Sequence, residues 1–138
     1  MKNTMSVKLS AIPENQAVAR GVIQCFASTI NTTVDVLSDI KTAVSEAVTN
    51  CVVHAYSGGT NYVYIDADIE DNVLSVTIRD EGEGIDDVKK AMQDFYTTKA
   101  SEERSGLGFT IMSSFMDSIN VTSKLGKGTA VTMTKRLA

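Results

Sequence analysis

Apolar and polar residues alternate along several stretches of the chain, and this pattern predicts strands. Between residues 62 and 79 two such stretches flank the turn-forming Glu70-Asp71-Asn72, which predicts an antiparallel hairpin. An opening strand is predicted around residues 5–9, and two final strands are predicted at residues 118–123 and 129–137. The apolar side of the hairpin is expected to face inward, with Val63, Ile65, Ala67, Ile69, Leu74, Val76 and Ile78 buried.

Other stretches repeat their apolar residues at helical spacing. Pro13 and Glu14 predict the start of a first helix, whose apolar side is read as Val18, Val22, Cys25, Phe26 and Ile30. A second helix is predicted over residues 34–55, with a stripe that should lie on the sheet, formed by Leu37, Ile40, Val44, Ala47, Val48, Cys51 and Val52. A third is predicted over residues 106–116, with Phe109, Met112, Phe115 and Met116 as core residues.

This order of elements favours an α+β fold, and 138 residues with 43% apolar content predict one domain over residues 1–138. The net charge of −4 and the scattered basic residues argue against direct nucleic-acid binding. Cys25 and Cys51 lie within apolar helical patterns, so both are predicted to be buried thiols in a reducing compartment. Without a signal-like or membrane-spanning apolar run, we expect a cytoplasmic protein with no membrane partner.

Glu46, Asn50 and His54 recur every four residues, so an α-helix would place them on one face beside the apolar stripe. The amide oxygen of Asn50 suits Mg²⁺, and Glu46 could accept a proton. An isolated pattern of this kind is usually a solvated helix face. A single histidine is more often structural than catalytic, so His54 is left out of the predicted chemistry.

Two glycine-containing segments favour a functional site over a solvated helix face. Asp80-Glu81-Gly82-Glu83-Gly84 follows a predicted strand, where glycines allow close approach to a ligand and the acid could accept a hydrogen bond from an exocyclic amine such as that of adenine. A glycine turn remains the alternative there, whereas a calcium loop would need further acids that are absent. Residues 105–109, Ser-Gly-Leu-Gly-Phe, place backbone N–H groups at a helix start, which favours a phosphate.

The chain resembles the GHKL ATPases in four motifs and in their order. These motifs are E-x-x-x-N on a helix, D-x-G-x-G after a strand, a polar segment with G-x-G, and G-x-G-T between two strands. Longer stretches at residues 45–50, 78–82, 97–99 and 103–112 resemble, within that class, the anti-sigma serine-protein kinases of spore-forming bacteria. The resemblance covers nearly the whole chain. It implies a Bergerat-type two-layer sandwich, in which helices cover one face of a mixed, mainly antiparallel sheet.

The same resemblance implies roles for particular residues. Glu46 would activate the attacking hydroxyl, Asn50 would ligate Mg²⁺, Asp80 would bind the adenine amine, and Thr129 would support Asp80. Arg20 on the first helix would contact a protein partner. The remaining residues would bind ATP or ADP as pocket and lid, namely Gly82, Gly84, Ile85, Thr97, Thr98, Lys99, Arg104, Ser105, Gly106, Leu107 and Gly108.

Function follows from the resemblance as an expectation. It implies a homodimeric anti-sigma factor that binds a sigma F-type sigma factor and uses Mg·ATP to phosphorylate a serine of an anti-anti-sigma protein with a STAS domain. The alternatives are a kinase of the general-stress type and a nucleotide-gated binding module without kinase activity. The chain has neither a P-loop nor the H-R-D and D-F-G sequences of eukaryotic-type kinases, and a sensor histidine kinase would need a phosphoacceptor histidine on a separate helix.

Overall fold

The computed structural model describes residues 1–55, 61–84 and 107–138. In chain order the elements are β1 (Lys2–Ser10), α1 (Asn15–Ala27), α2 (Val34–Thr49) with a π-helical turn (Asn50–Ala55), β2 (Tyr62–Glu70), β3 (Val73–Arg79), α3 (Leu107–Phe115), β4 (Ser118–Lys124) and β5 (Gly128–Arg136). The predicted strands and helices are therefore present, with ends that shift by a few residues.

The five strands form one sheet in the order β1-β2-β3-β5-β4. Each of the four described pairings is antiparallel, which confirms the predicted hairpin. Asp71 and Asn72 form its turn with φ values of 54° and 63°, a left-handed pair that matches the twist of a tight hairpin. The sheet and the helices together confirm the α+β class.

The core lies between one face of the sheet and the helices. The seven residues predicted to face inward from β2 and β3 are all buried, as the strict alternation required. From α2, Ile40, Val44 and Val48 pack onto this face, while α1 and α3 pack against α2. Thr33 fixes the start of α2, because its hydroxyl accepts a hydrogen bond from the N–H of Val36 at 3.2 Å.

The predicted apolar side of α1 was correct for Phe26, which is buried, and for Ile30, which packs against the core, but wrong for Val18 and Cys25. The helix buries Ala19, Ile23, Phe26 and Ala27, whereas Val18 and Cys25 are exposed. Small alanines can form a packing stripe as well as valines do, and here the alanine-containing stripe is the one that faces the core. The expectation of two buried thiols is therefore correct for Cys51 alone.

Two further differences concern helix ends. Phe115 was predicted to fill the core, but it is 37% exposed because it is the last residue of α3, while Met112 and Met116 are buried as expected. The second helix does not stay α-helical to Ala55, since its last six residues form the π-helical turn. Within the described ranges, no helix is both long and apolar enough to cross a membrane.

Candidate nucleotide site

The π-helical turn changes the geometry of the polar helix face. Glu46 lies in α2, and Asn50 is the first residue of the turn, where the helix hydrogen bonds lengthen from i+4 to i+5. Glu46 and Asn50, four residues apart, therefore share one helix face. The same regular spacing does not apply to the backbone from Asn50 to His54. Single π-helical turns are frequent at functional sites, and this one directs the next residue, Cys51, toward the end of β3.

Asp80 follows β3 directly and is the buried carboxylate of this region, with 8% exposure. Its oxygen Oδ1 accepts hydrogen bonds from the backbone N–H groups of Gly82 at 2.9 Å and of Thr129 at 3.2 Å. Its oxygen Oδ2 accepts one from the thiol of Cys51 at 3.5 Å. The backbone N–H of Asp80 donates to the carbonyl of Thr129 at 2.9 Å, so the start of β5 holds both its main chain and its side chain.

Burial controls the protonation of this pair. It raises the pKa of the Asp80 carboxyl, and the hydrogen bonds from Gly82, Cys51 and Thr129 partly oppose that rise. Burial also raises the pKa of the Cys51 thiol well above its ordinary value, and the neighbouring charge of Asp80 adds to the effect. Cys51 therefore stays a protonated donor at neutral pH, and Asp80 is an acceptor in an apolar setting.

Glycines let two loops touch at this position. Gly84 has a φ of +78°, and a Cβ there would lie 2.3 Å from the carbonyl oxygen of Lys124. In the β4–β5 turn, Gly128 has a φ of +108°, and its Cβ would lie 2.2 Å from the carbonyl oxygen of Asp80. The N–H of Gly126 donates to the carbonyl of Glu83 at 2.7 Å. The D-x-G-x-G loop and the G-x-G turn are thus one structural unit, built on close main-chain approach.

An open cavity of about 260 Å³ lies beside α2. Arg20 from α1 and Glu46 from α2 both line this cavity, a proximity that motif spacing did not predict. Arg20 donates to the hydroxyl of Ser45 at 3.1 Å, and Lys41 donates to Gln24 at 3.3 Å. The carboxylate of Glu46 therefore lies on a surface that carries two cations.

The structure brings the predicted residues Asp80 and Thr129 into contact. Asn50 precedes Cys51, whose thiol contacts Asp80, and Glu46 lies one helical turn before Asn50. Gly82 and Gly84 lie in the loop beside Asp80, and Leu107 and Gly108 form the first turn of α3, with Gly108 buried. The other predicted pocket and lid residues lie outside the described ranges, namely Ile85, Thr97, Thr98, Lys99, Arg104, Ser105 and Gly106.

Sequence reasoning missed two contributors. Cys51 was assigned to the core, and its buried position is correct, but its contact with Asp80 joins residues 29 apart in sequence and leaves no local signal. Gly128 belongs to the noted G-x-G-T segment but was not counted among the site residues. Thr129 was counted as a support of Asp80, and its main-chain N–H makes that contact, while its hydroxyl pairs with Ser123 at 2.8 Å.

Comparison with known proteins agrees with this fold. The model of the histidine kinase-like ATPase domain matches residues 9–135. The chain is 49% identical over 133 residues to an anti-sigma F factor of Caldanaerobacter subterraneus subsp. tengcongensis, which covers 96% of this chain and 93% of the relative. It is 46% identical over 138 residues to an anti-sigma F factor of Clostridium acetobutylicum, covering 100% of this chain and 96% of the relative.

Among solved structures, the crystal structure of the RsbU and RsbW domains of Rv1364c from Mycobacterium tuberculosis superposes with a TM-score of 0.72. The match covers 98% of this chain but 32% of that one, at 18% identity, and it shows a shared fold. The chain therefore belongs to the histidine kinase-like ATPase domain family, a class of nucleotide-binding domains. Within that class it is similar over nearly its whole length to anti-sigma F factors, which confirms the resemblance drawn from its motifs.

Proposed function

We propose that the chain is an anti-sigma factor and a serine-protein kinase that transfers the γ-phosphoryl group of Mg·ATP to a serine of an anti-anti-sigma protein. The observation that carries this proposal is that Cys51, the residue after Asn50 at the end of α2, contacts the buried Asp80 through its thiol. This contact joins the proposed base-binding carboxylate to the helix that carries Glu46, the candidate proton acceptor. The names of its relatives support a sigma F-type sigma factor as the protein it inhibits.

The base end of the site would use Asp80. Its Oδ1 is occupied by two main-chain donors, whereas its Oδ2 has one weak donor, the Cys51 thiol, within the described residues. Oδ2 therefore retains acceptor capacity for the exocyclic amine of adenine. The fixed main-chain hydrogen bonds would orient this oxygen before the nucleotide arrives, which reduces the entropy lost on binding.

The phosphate end would use Asn50 and Glu46. In the described part of the chain, no group of three His, Cys, Asp or Glu side chains is arranged to hold a metal on its own. Mg²⁺ is commonly bound by one or two protein oxygens together with substrate phosphates. Asn50 would supply the amide oxygen, and the bound ion would neutralise charge that develops on the phosphates.

Glu46 would act on the protein substrate. Its carboxylate would accept the proton of the serine hydroxyl as the serine oxygen forms a bond to the γ-phosphorus and the bond from that phosphorus to the β–γ bridging oxygen breaks, releasing ADP. Phosphoryl transfer depends mainly on positioning and charge stabilisation, so one correctly placed carboxylate is sufficient as the base. Thr97, Thr98, Lys99, Arg104 and Ser105 would close over the phosphates.

A protein substrate has to deliver its serine to Glu46, and the cavity beside α2 offers a route. Arg20 lines the same cavity as Glu46, so a partner that contacts Arg20 is held next to the proposed base. The nearby Lys41 adds to a positive rim that suits an acidic partner surface. We include a homodimer and a cytoplasmic location in the proposal because the resemblance to this group of kinases implies them.

The test is transfer of radiolabelled γ-phosphate from Mg·ATP to a cognate anti-anti-sigma protein. Wild type should label a serine, and Glu46→Gln should bind ATP with wild-type affinity but transfer phosphate about 100-fold to 10,000-fold more slowly, the usual loss of general-base catalysis. Glu70→Gln is the matched control, because Glu70 is an exposed β2 residue paired with Lys2 at 3.8 Å. ATP binding by wild type without any transfer would instead establish a nucleotide-gated binding module.

A further inference from the structure

The two oxygens of the Asp80 carboxylate have different surroundings. Oδ1 faces the main-chain N–H groups of Gly82 and Thr129, while Oδ2 faces the thiol of Cys51 at 3.5 Å. Cys51 is 3% exposed and Asp80 is 8% exposed, so water does not compete freely for this contact. Among the described residues, Cys51 is the only one whose side chain donates a hydrogen bond to Asp80.

This arrangement determines what Oδ2 can offer to a purine. A carboxylate oxygen has two lone pairs, and the thiol hydrogen uses one of them, which leaves the other as an acceptor. If Asp80 were protonated, the proton would sit on Oδ2, because Oδ1 already faces two donors. Oδ2 would then present a hydrogen-bond donor, which repels a 6-amino group and attracts a 6-oxo group. A donor already directed at Oδ2 disfavours that protonated form.

We propose that Cys51 is a positioning residue whose S–H···Oδ2 hydrogen bond makes Asp80 selective for 6-aminopurine over 6-oxopurine nucleotides. The inference rests on the proposed role of Asp80 in reading the base. It assigns Cys51 a function beyond its burial in the core. Cys51 is the second residue of the π-helical turn and lies next to the proposed Mg²⁺ ligand Asn50.

The experiment compares the affinities of ADP and IDP, measured by titration calorimetry, for wild type, Cys51→Ala, Cys51→Ser and Cys25→Ala. Cys51→Ala should lower the preference for ADP over IDP by about three- to tenfold, the equivalent of one ordinary hydrogen bond, because a thiol is a weak donor. Cys51→Ser keeps a donor and should retain the preference. Cys25 is exposed on α1, so Cys25→Ala is the matched control and should behave as wild type. If Cys51→Ala does not fold, Cys51→Val removes the donor without leaving a cavity.

Two results would overturn the inference, and they differ from each other. If Cys51 acts only by packing, Cys51→Ala weakens ADP and IDP equally and the preference is unchanged, which leaves the proposed role of Asp80 intact. If wild type itself binds ADP and IDP equally, Asp80 does not read the amine, and both the inference and the proposed base contact fail. A preference that falls in Cys51→Ala and returns in Cys51→Ser is the outcome that supports the positioning role.

Discussion

The β4–β5 turn contains two glycines whose substitution would distinguish the effect of backbone strain from the effect of a contact with the site. Gly126 and Gly128 have φ values of +80° and +108°, so alanine is strained at both. At Gly126 nothing lies within 4 Å of an added Cβ, whereas at Gly128 it would lie 2.2 Å from the carbonyl oxygen of Asp80. A comparison of Gly126→Ala with Gly128→Ala therefore isolates the contact between the turn and Asp80.

The expected costs differ accordingly. Gly126→Ala should lower the free energy of unfolding by about 1–2 kcal/mol, the cost of a left-handed conformation in a residue with a Cβ. Gly128→Ala should add about 1–3 kcal/mol for forcing atoms into an occupied space. To relieve the overlap, the turn and Asp80 must separate by roughly 1 Å, a misplacement that weakens precise contacts severely. The hydrogen bond from the Thr129 N–H to Oδ1 would be lost with it.

Urea unfolding and ADP titration check these expectations. Gly126→Ala should bind ADP as wild type does, while Gly128→Ala should bind about tenfold or more weakly, because one hydrogen bond to a charged group is lost. Equal losses of stability in the two variants, together with equal ADP affinities, would refute the reasoning. The contact between Gly128 and Asp80 would then not position the carboxylate.

Two further predictions concern charged groups. Burial raises the pKa of Asp80 in the folded chain, so the folded state binds the Asp80 proton more tightly than the unfolded state does. The contribution of Asp80 to stability should therefore increase as pH falls from that raised pKa toward about 4. Asp80→Asn should remove this increase in urea unfolding of the nucleotide-free protein, and a pH profile unchanged by the substitution would contradict the raised pKa. Lys135 donates to Asp39 at 3.3 Å and to the carbonyl of Phe115 at 2.6 Å. Lys135→Met should therefore lower the free energy of unfolding by about 1–3 kcal/mol, measured by thermal or urea unfolding. Lys2→Met removes an exposed ion pair and should leave the free energy of unfolding nearly unchanged.

The strands could be predicted from the sequence because their signal is local. Alternation over residues 62–79 identified every inward side chain of β2 and β3, since the side-chain period of a strand is two and one face is buried. The stripe of α2 was equally clear. The buried face of α1 was less clear, because it includes Ala19 and Ala27. A search for large apolar residues at helical spacing does not detect these alanines.

The site could be predicted only in part, for a related reason. Motif spacing predicted Glu46, Asn50 and Asp80 as site residues, and the family resemblance predicted Thr129. The contact of Cys51 with Asp80 and the approach of Gly128 to the same residue depend on tertiary packing. The π-helical turn was also beyond local pattern reading, because its residues fit an α-helical stripe equally well. Arg20 and Glu46 share a cavity for the same kind of reason, since two helices have to pack before the residues meet.

The hydrogen bonds to Asp80 Oδ1 come from main-chain N–H groups at Gly82 and Thr129. A main-chain donor does not depend on which side chain its residue carries, so sequence drift can alter neighbouring side chains without removing either bond. Evolution can lose this geometry only by changing the path of the backbone, which the glycines at 84 and 128 fix. Descendants of such a sequence can therefore diverge widely around the carboxylate and still keep it in the same orientation.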